Sequence, residues 1–151
     1  MAWSTKIKDL SVASVQPHPL SPVPAGVTGR APVNLRISFT PTDFFGAAAR
    51  CTHMHVVNPA AVTPESFIIS SLVEQHVDDT SPDFAVLKTA DTFKDDVKSY
   101  FAGTVAARLA YLQMIGDGYV WADHFENFAA AGAAMTARTP DFVFSRPGQG
   151  N

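Results

Sequence analysis

The chain has 151 residues, 46% hydrophobic and 17% charged, the size and make-up of one folded domain, which excludes a disordered or fibrous protein. With 11 Lys and Arg against 14 Asp and Glu the net charge is −3, so the chain has no general electrostatic grip on phosphate and is not a simple nucleic-acid coat. One cysteine, Cys51, excludes an internal disulfide and suits a reducing compartment or a packed thiol.

The N-terminus carries Lys6 and Lys8 but no apolar run after them, so it does not read as a secretory signal. No stretch approaches the roughly 20 apolar residues that cross a bilayer; the expectation is a cytoplasmic protein without a membrane partner. Pro17, Pro19, Pro22, Pro24 and Pro32, with Gly26 and Gly29 between them, rule out a regular helix or central strand over 17–32. Residues 1–32 therefore read as an extended Pro-rich arm. Val15, Leu20, Val23 and Val27 give the stretch 13–32 apolar content to lie in a groove of its own domain or of a protein partner. Residues 33–151 read as a single α+β domain. A strand and turn so close to Asn151 also suit the front part of a longer protein.

Val33 to Thr40 alternates strictly, with Val33, Leu35, Ile37 and Phe39 on one face, and predicts a half-buried strand. Thr42-Asp43 offers a cap for a turn or short helix through Ala49. Cys51 to Val57 predicts a second strand, stopped by Pro59. Thr63-Pro64-Glu65 is a helix start, with a capping hydroxyl, proline at the first helical position and an acid in the first turn. Phe67, Ile68, Leu72 and Val73 give that helix its stripe, and it should end near 78–80. Phe84 to Leu87 reads as a short strand.

Phe93, Val97, Phe101, Val105, Leu109 and Leu112 recur every three to four residues and predict a long amphipathic helix over 91–115. Ala102, Gly103, Ala106, Ala107 and Ala110 would let a neighbour approach closely. Gly116 and Gly118 end it. Trp121, Phe125, Phe128, Gly132 and Met135 predict another helix over 119–137, packed antiparallel on the first. Asp141 to Ser145 predicts a final strand. The expected architecture is α+β: a small mixed sheet packed against this helical hairpin, with the arm extended beside it.

Two acids carry the first chemical expectation. Thr139-Pro140-Asp141-Phe142-Val143-Phe144 sets an aspartate at the mouth of a strand, just after a helix that bears Glu126. Carboxylates so arranged hold Mg²⁺, which can generate hydroxide and stabilise a phosphodiester transition state. Here the chain resembles the PD-(D/E)xK nuclease superfamily, the restriction-endonuclease-like fold, over residues 119–146. Pro140-Asp141 matches that family's Pro-Asp step. Glu126 matches its helix acid, with Asp123 in reserve. The resemblance implies catalytic, Mg²⁺-binding roles for Glu126 and Asp141, DNA as the partner, and a role in DNA processing or defence. The family's third motif, acid-x-Lys, does not follow Asp141, so the implied enzyme is partial or degenerate. Pro-Asp-Phe is also an ordinary turn, and Ser81-Pro82-Asp83-Phe84 repeats it.

Cys51, His53 and His55 would share one face of a strand and form a weaker, alternative metal site of thiolate and imidazole ligands, with His76, His124 or Asp43 as the fourth. Cys51 with a histidine is also thinkable as a nucleophile and base, though one strand spaces them too widely for contact. There is no Gly-x-Ser-x-Gly, Walker loop or Gly-x-Gly-x-x-Gly. Asp91, Asp95 and Asp96 read as the solvated start of a helix, with Lys94 and Lys98 beside them. The other function class is a non-enzymatic binding or assembly subunit that docks through its N-terminal arm and its helix faces.

Overall fold

The computed structural model describes residues 3, 6–11, 35–52, 59–124, 127 and 142–145. Alternation sets the first element legible in the sequence: Arg36–Phe39 is a strand whose Ile37 and Phe39 are buried while Arg36 and Ser38 face out. Its partner is a strand that the sequence did not disclose, Lys8–Ser11. The two run antiparallel, with Lys8 opposite Phe39 and Leu10 opposite Ile37. We call them β1 (Lys8–Ser11) and β2 (Arg36–Phe39). β1 shows no apolar alternation because Lys8 takes one of its inward positions, beside Leu10, which packs on the core. Lys8 is fully buried, and its Nζ donates to the carbonyl oxygens of Asp78 and Ser81, which makes burial of the charge tolerable.

Residues placed with the arm by composition therefore sit in the body of the domain. Trp3 is 0% exposed. It meets the rings of Phe39, Phe44, Phe45 and Phe84 at centroid distances of 6.1, 5.5, 6.0 and 5.8 Å. Its indole N–H donates to the Lys6 carbonyl at 2.7 Å. The Pro-rich stretch proper, 12–34, lies outside the described residues.

Helix α1 (Pro41–Thr52) opens on a capping box. The Asp43 N–H donates to Thr40 Oγ1 at 3.1 Å, and the Asp43 carboxylate accepts from the Thr40 N–H at 2.9 Å and its hydroxyl at 2.7 Å. Pro41 takes the first helical position, where no backbone donor is needed. The helix runs beyond the expected stop at Ala49, so Cys51 and Thr52 are helical rather than the start of a strand. Phe44, Ala47, Ala48 and Cys51 carry the decisive period: they fall on one helical face, and the first three are buried. Residues 53–57 lie outside the described set.

Helix α2 (Pro59–His76) begins before Thr63 and ends before the expected 78–80. Its buried stripe is Ile69 and Val73, continued by Val77, one step round from the predicted one; Phe67 and Ile68 are 72% and 56% exposed. Val77 then bridges Val86, which is all the strand character found over 84–87. A 3-10 turn covers Lys88–Thr92.

Helix α3 (Asp95–Gly116) is the long helix expected. It buries Phe101 and Val105 and packs on α1, with smaller contacts to α2 and β2. Gly118, at φ +84°, turns the chain, a conformation that a Cβ would strain. The Gly118 and Tyr119 N–H groups close the end on the carbonyls of Ile115 and Met114 at 3.0 Å each.

Beyond Gly118 the chain departs from expectation. Val120–His124 is a strand, β3, not the start of a helix. It pairs antiparallel with β4 (Phe142–Ser145), the final strand as expected. Tyr119, Val120 and Trp121 are strand-formers just past a tight glycine turn, and Trp121 gains Phe142 and Phe144 as neighbours at 5.3 and 5.5 Å. The rest of the segment expected to be helical, but for Asn127, lies outside the described residues. The class is therefore α+β, with two antiparallel two-stranded sheets among the described residues in place of one mixed sheet. No described helix is long and apolar enough to cross a membrane.

Candidate functional site

The two acids of the nuclease resemblance, Glu126 and Asp141, lie outside the described residues, as do His53 and His55. Their described neighbours are placed. His124 and Phe142 are cross-strand partners, the last residue of β3 and the first of β4. Their rings lie 5.6 Å apart. His124 is buried and also meets Trp121 at 5.1 Å.

Asp123, the reserve acid, makes local bonds. Its Oδ1 accepts from the backbone N–H of His124 at 2.8 Å and from the Asn127 side-chain amide at 2.7 Å. That is a turn-forming carboxylate as β3 ends.

The other copy of the Pro-Asp-Phe step is fully described and is structural. The Asp83 N–H donates to Ser81 Oγ at 3.0 Å. Asp9 N–H donates to the Pro82 carbonyl at 2.9 Å, and Phe84 N–H returns to the Asp9 carbonyl at 2.7 Å. The step docks a turn on β1 and delivers Phe84 to Trp3. Phe142 likewise comes after a Pro-Asp step and meets a tryptophan, Trp121.

Cys51 sits on the last turn of α1, facing α3. Its Sγ–H donates to the Ala107 carbonyl at 3.7 Å. Burial pushes the thiol up to about 11, with the Arg108 guanidinium pulling weakly the other way. A thiol held protonated is a poor nucleophile and metal ligand. Arg108 itself is fully buried, its guanidinium 5.4 Å from the Phe44 ring centroid.

The remaining ligand candidates are dispersed. Asp43 is engaged in the α1 cap; the backbone N–H and then the hydroxyl of Thr40 hold its carboxyl below the usual range. His76 Nδ1 meets Thr89 Oγ1 at 2.9 Å, and its ring stands edge-on to Phe93 at 4.5 Å. Among the described residues no three His, Cys, Asp or Glu side chains gather as a metal-holding group. Asp91 in the 3-10 turn and Asp95 and Asp96 at the start of α3 are exposed, and Lys98 pairs with Asp91 at 3.5 Å.

Among the described residues the surface carries apolar grooves. Phe101, Val105 and Leu109 of α3 floor a groove of about 340 Å³, walled by Val86 and Ala90 on one side and by Ala102 and Ala106 on the other. The Asp91–Lys98 pair stands at its rim. A second groove of about 530 Å³ runs along Gly103, Ala106, Ala107, Ala110 and Met114 to Phe142 and Phe144. Ala106 lines both. Ala102, Gly103, Ala106 and Ala110 are exposed, forming a low ridge between the two grooves.

Composition points to this ridge as a seat for a neighbouring helix. It gives no sign of the wall made by Val86 and Ala90, because a short irregular segment carries no periodic signal. A Cβ built on Gly103 meets nothing within 4 Å, so described packing does not demand glycine there.

Comparison with known protein families, curated proteins and solved structures finds no match.

Proposed function

We propose that this protein is a non-enzymatic binding or assembly subunit that docks an apolar segment of a protein partner on the outer face of α3. The observation that carries this is the pair of apolar grooves meeting at Ala106, one on each flank of an exposed ridge of small side chains. Small residues let a partner's backbone approach closely, and the grooves either side accept its larger side chains. The Pro-rich stretch 13–32 enters from its composition as a second docking element, since an extended, donor-poor segment suits groove recognition.

Ala106→Arg and Ala102→Arg test it. Each places a charge on an exposed helical position, so the fold survives while the groove becomes costly to cover. A partner recovered with the wild-type chain is purified and titrated by calorimetry against all three proteins. The expected result is a loss of at least about tenfold in affinity in both variants, equivalent to about 1.4 kcal/mol, with unchanged circular dichroism. Equal affinities would overturn the assignment.

One observation favours the nuclease class as a second proposal: His124, two residues before Glu126, and Phe142, next after Asp141, are paired across β3 and β4. In that case Glu126 and Asp141 hold Mg²⁺ and the substrate is DNA. Mg²⁺-dependent cleavage of DNA, abolished in both Asp141→Ala and Glu126→Ala, is the expected result. Absence of cleavage by the wild-type chain, or cleavage indifferent to both substitutions, sinks it.

A further inference from the structure

No further inference is drawn: the strongest candidate, the apolar groove between the Val86–Asp91 segment and α3, belongs to the site already described, and nothing in the structure shows what covers it.

Discussion

Trp3 and Phe84 meet edge to face, their ring centroids 5.8 Å apart and their planes at 73°. This contact ties the start of the chain to the turn after α2 and closes the aromatic cluster over Phe39 and Phe44. Trp3 also donates its indole N–H to Lys6, so it is held by both shape and polarity. Trp3→Ala should cost about 3–5 kcal/mol, the range for emptying a large buried aromatic site. Urea unfolding followed by circular dichroism measures it. A loss under about 0.5 kcal/mol, the scale of an ordinary surface change, would mean that the start of the chain is an appendage after all.

Lys8 offers a separate test of the same region. Its buried ammonium bonds two carbonyl oxygens of the loop after α2, while Lys6 bonds a third, that of Asp79, at 2.8 Å. Lys8→Met keeps the stem and removes the donors, so the half-buried Asp78 and Ser81 carbonyls lose their charged partner. The expected cost is about 2–4 kcal/mol, from one or two charge-assisted bonds. Lys6→Met, at an exposed position, should cost well under half as much. Chemical denaturation of both variants checks the order.

The Cys51 thiol should be slow. Its ionisation is raised from 9.0 to about 11, so near pH 8 the thiolate fraction falls about a hundredfold, because each pH unit is a factor of ten in the ionised fraction. Reaction with a chromogenic disulfide should be at least that much slower in buffer than in denaturing urea. The linked stability has a defined sign. A thiol raised on folding contributes stability below about pH 9 that is lost as pH climbs towards 11. Cys51→Ser should flatten that alkaline limb; an unchanged limb counts against the packed thiol.

On the acid side the direction reverses. The carboxyls of Asp9, Asp43 and Asp78 are held below their ordinary value, chiefly by hydrogen bonds from Ser38, the Thr40 backbone and the Thr80 hydroxyl respectively. Their contributions are complete above the ordinary carboxylate range near pH 4 and are lost as pH falls through the lower folded values. Asp43→Asn should make melting temperature less dependent on pH between about 5 and 2, in a thermal scan at each pH. A slope identical to wild type would rule out the capping carboxylate as a contributor.

Gly103→Ala should raise stability by about 0.5–1 kcal/mol, the ordinary gain from removing a glycine inside a helix, because the new methyl meets nothing within 4 Å. If the ridge is a docking surface, the same substitution weakens partner binding while it stabilises the free chain. Opposite signs in denaturation and calorimetry would separate surface function from helix propensity.

Elements legible in the sequence and elements hidden in it differ in the range of the forces behind them. β2 and α3 are legible because Ile37 and Phe39, or Phe101 and Val105, repeat at the period of the element that carries them. The α1 start is also encoded locally, in Thr40, Pro41 and Asp43. Cys51 misleads because its alternation with His53 and His55 competes with the helical face it shares with Phe44, Ala47 and Ala48. Trp121 misleads because a four-residue step to Phe125 looks helical, whereas Phe142 and Phe144 recruit Trp121 into a hairpin. The candidate surface is half legible: the small side chains of α3 stand out, and the wall from Val86 and Ala90 does not.

Period, caps and glycines act within a turn or two of chain, so the residues alone settled the α+β class, the long helix and its end at Gly116, before the turn at Gly118. Pairing energy depends on a distant strand or carbonyl, so only the folded chain decided that Lys8 is buried, that Val120–His124 is a strand, and that α3 carries an exposed ridge between two apolar grooves. A lysine beside an aspartate looks like surface until the Asp78 and Ser81 carbonyls close around it.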